Sequence, residues 1–334
     1  MTVLVREATQ ADRPEVEALV AEMMPGVDVA ARMRWLYETN PGGPAITWLA
    51  EEDGKVAGCT SFFPWRLWLD GKELRGALGG DGFVRPAFRR RGIGALLHNA
   101  SRDAMHQHRI TCMYGAPGEM NVTPLKNGGS KEVGQVVRWV RPLRGEVLKV
   151  PGVLAKPLTT LASKLLRPRS AARLALATEN DPRIDRVWQQ TRPSLRLAAV
   201  RDSAFYTWRF QQAPADKQPI YLVLEHDQPV GACVIERIDD RIQRLVDVLA
   251  PPDHWRTCLL AASEHCLETT PAEMVEIKLL ERDSAHRPMH RSLFVERGKK
   301  PFLVMIPAER GDERLLDPER WFYTSADSDL DDHS

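Results

Sequence analysis

The chain of 334 residues carries one internal repeat. RWLYETNPGGPAITWLAEEDGKVAGC, from Arg34, resembles TWRFQQAPADKQPIYLVLEHDQPVGAC, from Thr207. Trp35 matches Trp208, Tyr37 matches Phe210, Pro41 matches Pro214, Trp48 matches Tyr221 and Gly58 matches Gly231, all at one offset, 173. Five matches in order, on the same helix-strand-turn pattern, point to a duplicated domain. The length suits two ordinary domains, and 43% apolar with 27% charged residues is typical of globular chains.

Periodicity gives the elements of the first copy. Val3 to Arg6 reads as a strand. Thr9 caps a helix reaching about Met24, with Val16, Leu19, Val20 and Met23 on one face. A second helix covers Val29 to Glu38. Strands follow at Ala45–Glu51, Val56–Leu69 and Leu74–Val84, joined by Asp53-Gly54 and Asp70-Gly71 turns suited to tight hairpins. A helix from about Gly92 to His106, a strand at Ile110–Gly115, a polar stretch to Gly129 and a strand at Glu132–Val140 complete an α+β order around a mixed sheet. Segment 147–178 has six basic residues and no acidic one. It reads as a helical connector, with a basic amphipathic surface giving weak peripheral membrane contact as the alternative. The acidic tail from Tyr323 reads as disordered.

Net charge is +1, so anion binding must be local and nucleic acid is not expected as a partner. No apolar run is long enough to span a membrane, and MTVLVREATQ lacks the layout of a signal peptide. Five cysteines without CxxC spacing argue against disulfides and structural zinc, and no metal is expected. The expected location is the cytoplasm.

One turn carries chemistry. In VRPAFRRRGIGALLHNA, Val84 to Ala100, a strand ends, Pro86 breaks the ladder, and a helix begins near Gly92. Such a helix start presents unpaired N–H groups and partial positive charge. Gly92 and Gly94 let an oxyanion approach the amides of Arg90 to Ala95, including Ile93, while Arg89, Arg90 and Arg91 add charge. No Gly-Lys-Ser/Thr follows, and the placement is wrong for a dinucleotide fingerprint. A compact phosphate or diphosphate fits.

At these residues the chain resembles the GNAT superfamily of N-acetyltransferases. Val84, Pro86, Arg89, Gly92 and Gly94 occupy its V-x-P-x-x-R-x-x-G-x-G/A element, which binds the diphosphate of acetyl-CoA. VREATQAD and SKEVG resemble its first strand and its closing strand entry. The resemblance implies a three-layer α/β arrangement with a mixed, mostly antiparallel sheet flanked by helices, present twice. It implies acetyl-CoA as co-substrate, with the pantetheine arm between splayed fourth and fifth strands. Backbone near Phe83 and Val84 and the Ile110–Gly115 strand would form the walls, and Asn121 would contribute. The implied layout is an N-terminal domain at 1–146, a helical linker at 147–195, a degenerate copy at 196–310 and a C-terminal segment at 311–334.

Acetyl transfer to an amine needs a base for the ammonium, a donor for the oxyanion and a proton for the thiolate. The family's usual tyrosine slot falls on Leu125 and its asparagine slot on Gly118. Tyr114 is the substitute acid, with water or a backbone amide as the alternative. Asp81, inside Gly79-Gly80-Asp81-Gly82, is the first candidate base; a bulge aspartate is the bland alternative. Glu119 is the second. The second copy reads Leu249-Ala250-Pro251 at the V-x-P slot and has no glycine between Gly231 and Gly298, so it is not expected to bind CoA. The expectation is an acetyl-CoA-dependent N-acyltransferase acting on a small-molecule amine such as an amino sugar, as monomer or homodimer. A non-catalytic acyl-CoA-binding regulator or pseudoenzyme and a protein N-acetyltransferase are the alternatives.

Overall fold

The computed structural model describes residues 3–148, 155–214, 217–307 and 311–328. The first copy comprises β1 (Val3–Glu7), α1 (Arg13–Met23), α2 (Val29–Arg32), β2 (Ile46–Glu52), β3 (Lys55–Leu69), β4 (Lys72–Val84), α3 (Ile93–Asp103), β5 (Met113–Gly115), α4 (Glu119–Asn127) and β6 (Lys131–Pro142). A connector, α5 (Ala155–Leu166), follows. The second copy comprises β7 (Arg173–Leu176), α6 (Pro182–Thr191), β8 (Leu197–Ala199), α7 (Ser203–Tyr206), β9 (Ile220–Glu225), β10 (Gln228–Arg237), β11 (Ile242–Leu249), α8 (Trp255–Thr269), β12 (Met274–Leu280), α9 (Asp283–Arg291) and β13 (Val295–Met305), with β14 (Trp321–Phe322) beyond it.

The hairpin turns behave as their sequences require. Asp53 and Gly54 have φ of 51° and 73°, and Asp70 and Gly71 have 46° and 92°, the left-handed pairs that match strand twist. Apolar spacing places Val16, Leu19 and Val20 of α1 in one core cluster and Ile93 and Leu97 of α3 in another. The first copy's sheet therefore has helices on both faces, a three-layer build.

The two copies form one continuous sheet. Its main path runs β1-β2-β3-β4-β5-β13-β6-β12-β11-β10-β9-β7, with β8 pairing β3 and β14 off the path. The last strand of each copy stands inside the other copy's half. β13 separates β5 from β6, and β6 separates β13 from β12. The order is symmetric about the antiparallel β6–β13 pair. The repeat read from sequence obeys the same symmetry: Trp35 and Trp208 stack with centroids 5.3 Å apart, and each indole N–H donates to the other's carbonyl, at 2.7 and 2.9 Å. Both tryptophans sit on a wide π-helical turn, at Met33–Glu38 and at Thr207–Gln211, a rare local geometry to find twice at matched positions.

Two expectations need correction. The linker is not helical to 195. β7 pairs with β9 as β1 pairs with β2, so the second copy begins near Arg173, and only α5 is a helical connector. The strand exchange also means that neither half of the sheet is built from one contiguous stretch of chain. The tail is ordered further than its composition suggests. Trp321 to Asp327 are buried, because their aromatic and hydroxyl groups pack between the copies. Residues 329–334 lie outside the described residues, as do 149–154 of the basic segment. On the described part of that segment Leu161 and Leu165 are exposed, while Arg167 and Arg173 pair with Glu268 and Asp227.

Candidate functional site

β4 and β5 touch and then part. They are paired in parallel at Ala77 and Met113 only, with Ala77 N–H donating to Cys112 O at 2.9 Å and Thr111 N–H to Arg75 O at 2.8 Å. From Leu78 to Val84, β4 has no strand partner on that side among the described residues. On β5, Tyr114 and Gly115 turn to β13 instead. The result is a gap edged by unpaired main chain, receptive to an extended, amide-bearing arm.

At the end of β4 the arginine turn closes the gap. Arg90 has φ of 63° and Gly92 of 77°, so two left-handed residues bracket Arg91 and bend the chain sharply into α3. The first helical bond runs from Leu96 N–H to Gly92 O at 3.1 Å. The amides before it form the open start of an eleven-residue helix. A Cβ built on Gly92 or Gly94 meets nothing within 4 Å, so both face open space. This exposed cradle fits a diphosphate.

The three arginines are not equivalent. Arg89 donates through Nε to the carbonyl of Val84 at 3.0 Å and lies over the Phe83 ring. Arg91 is tied to buried Glu52 at 2.5 Å, which neutralises its charge. Arg90 has no ion pair among the described residues. The expectation that all three add free charge is thus reduced to Arg89 and Arg90. The Val84 carbonyl, taken by Arg89, is also less available to a ligand than expected.

Asp81 is sealed. It sits at a bulge in the β3–β4 ladder with φ of 48°. Arg32 reaches its carboxylate at 2.7 and 3.2 Å, and Tyr37 donates to it at 2.7 Å. Ser61 and Thr47 extend the network behind Tyr37. The Arg32 and Asp81 side chains are 4% and 2% exposed. Burial, then the Asp81 carboxylate, pushes the Tyr37 phenol well above its usual range. A carboxylate so engaged is not a free general base, and that expectation is corrected: Asp81 anchors the wall of the gap. Sequence reasoning missed Arg32 and Tyr37. The repeat gave no signal for them: at its offset Arg32 and Tyr37 fall on Phe205 and Phe210, and Asp247 on β11 is instead held by Arg201 and Tyr206, at 3.0 and 2.7 Å.

Tyr114 is also buried, packed against Trp321 at 4.8 Å and beside Phe302 and Tyr323. Its hydroxyl has no hydrogen-bond partner among the described residues, and burial, then Asp327, raises its pKa well above the usual value. A phenol held this far from release is a poor proton donor. Glu119 and Asn121 lie exposed on the first turn of α4, just past the end of β5. Glu119 has no ion pair among the described residues. For metal, Glu281, His286 and Glu296 gather ligand-type atoms within 4.8 Å, but the Lys299 ammonium already lies 2.7 Å from Glu281 and 3.6 Å from Glu296.

The second copy has the same parting of strands, and the chain itself fills it. β11 and β12 pair from Ile242–Met274 to Leu245–Ile277. Beyond that, Thr324 bridges Leu279 and Leu280 N–H donates to Tyr323 O at 3.2 Å. Thr324 Oγ1 donates to Asp247 at 2.8 Å, and Arg201 holds Asp327. The C-terminal segment therefore bonds to both separated strands where the first copy leaves its gap open.

These features define a class: two copies of a mixed α+β unit, sharing strands, with one open strand gap ending in a phosphate-type turn. Residues 14–121 match the model described as the Acetyltransferase (GNAT) family. The fold of the whole agrees. A GCN5-related N-acetyltransferase from Anabaena variabilis superposes with a TM-score of 0.67 at 15% identity, over 91% of this chain and 73% of that one. One from Kribbella flavida gives 0.61 at 14% identity, over 91% and 71%. A tandem GNAT protein from the clavulanic acid biosynthesis pathway gives 0.52 at 14% identity, over 92% and 99%. No curated protein matches the sequence.

Proposed function

We propose that the chain is an acetyl-CoA-dependent N-acetyltransferase with one cofactor site, in its first copy, acting on a primary amine of a small molecule. The observation that carries this is the parting of β4 and β5 beside the Arg89–Gly94 turn. The amides of Gly92, Ile93, Gly94 and Ala95, with Arg89 and Arg90, would hold the diphosphate. The unpaired edge of β4 would hold the pantetheine arm. When bound, acetyl-CoA supplies an activated acyl group. Glu119 is our candidate base: an exposed carboxylate past β5, it takes the proton of the incoming ammonium directly or through water. Arg32, Tyr37 and Asp81 keep β4 rigid at its bulge. An amino sugar remains the preferred kind of acceptor by analogy with the family alone.

The test is thermal unfolding with and without acetyl-CoA, beside an Arg89→Ala/Gly92→Glu variant. A ligand that binds only the folded state raises the midpoint, and the variant should lose the rise. Amine-dependent thiol release, increasing with pH as the amine loses its proton, then reports turnover. A second reading, an acyl-CoA-binding pseudoenzyme, is favoured by Leu125 in the tyrosine slot and by the burial of Tyr114. It predicts the midpoint rise with no amine-dependent release. No rise at millimolar acetyl-CoA would sink both.

A further inference from the structure

One groove is closed in the first copy and open in the second. In the first copy the space between α1, the start of β3 and the end of β4 is filled by Arg85. Its guanidinium lies 2.8 Å from both Glu15 and Glu22 of α1 and donates to the Val56 carbonyl at 2.7 Å. In the second copy the matching short turn starts at Pro252, as the first copy's starts at Pro86, so Pro251 stands where the first has Arg85. The arginine is replaced by Pro251, which lines the groove and carries no charge. The equivalent helix, α6, carries Arg186 and Gln190 one turn apart instead of glutamates.

What remains is an open groove of about 470 Å³, within the size range of small-molecule sites. Arg186, Gln190, Gln228, Pro229, Asp253 and His254 line it. The charge sense is inverted between copies. The first offers carboxylates to a guanidinium that the chain provides. The second offers a guanidinium and two carboxamides, and among the described residues no side chain answers Arg186. A planar guanidinium flanked by amide donors matches a carboxylate. Asp253 in the lining, and Glu225 at 3.4 Å from His254, disfavour a more highly charged ligand. Val230 and Pro251 supply an apolar lining.

We infer that this groove binds a small organic monocarboxylate with an apolar body, at a site separate from the β4–β5 gap. Saturation-transfer NMR on the full chain tests it with benzoate, its neutral isostere benzamide as control. The expected result is saturable benzoate binding, weakened at least about tenfold for benzamide and in Arg186→Glu, a surface change that should leave the fold intact. Pro251→Arg, which rebuilds the first copy's plug, should also abolish it. Acetyl-CoA should not displace benzoate. The inference is overturned by no saturable binding up to about 10 mM, by equal binding of benzamide, by binding unchanged in folded Arg186→Glu, or by displacement with acetyl-CoA. None of these outcomes depends on whether the first copy turns over an amine.

Discussion

At the scale of single residues, Asp81 shows how far burial changes a role. Sequence placed a carboxylate between glycines on the fourth strand, and that much was legible. Its partner Arg32 is 49 positions away, across a fold that the local pattern does not specify. Removing Asp81 leaves Arg32 buried without its carboxylate, so Asp81→Ala should cost about 3–5 kcal/mol in urea unfolding. Asp81→Asn, which tolerates the left-handed backbone, should lose less. If Asp81 were the base instead, Asp81→Asn would abolish turnover at nearly unchanged stability, and that outcome would restore the corrected expectation. The cysteines give a second prediction. All five are buried, and desolvation pushes the thiols of Cys59, Cys112 and Cys266 up to about 12. The native chain should therefore show no fast-reacting thiol with a disulfide reagent, and all five on denaturation. Any rapid signal from the native chain alone contradicts the burial.

At the scale of elements, hairpins and helices were legible because their signals are local: Asp-Gly turns, apolar spacing, a proline before a glycine-led helix. β7 and the C-terminal segment were not. β7 is four residues long within a basic stretch, and its strand character comes from pairing with β9. The segment after Tyr323 reads as polar and acidic, yet Thr324 and Asp327 are buried because Arg201 and Asp247 await them. That contact has a pH signature. Burial pushes Asp327 from 3.8 up to about 6, against the opposing pull of Arg201. The folded state then holds the proton more tightly than the unfolded chain. Its contribution to stability is full below about pH 3.8 and is lost as pH rises through about 6. Urea midpoints measured across that window should fall with rising pH from this group, and Asp327→Asn should remove that part of the slope. An unchanged slope in the variant would show that Asp327 titrates normally.

At the scale of the whole molecule, the duplication was visible as a repeated helix-strand-turn, but the exchange of last strands was not, because pairing partners of β6 and β13 lie in the other copy. The exchange makes the copies interdependent. β13 is an interior strand of the first copy's half, flanked by β5 and β6, so a fragment of residues 1–146 lacks the strand that covers both edges. It also loses the partner of Trp35, whose indole bonds and stacking are reciprocal with Trp208. Expressed alone, that fragment should fail to unfold cooperatively and fail to respond to acetyl-CoA, although it contains the entire phosphate-type turn. Expressed together with residues 147–334, it should recover both. The intact chain should melt in one transition and take up one acetyl-CoA by calorimetric titration, since the second gap is filled by its own C-terminal segment. An isolated first copy that folds and binds would mean that the shared strands join two independent domains; a stoichiometry of two would mean that the C-terminal segment yields its place to ligand.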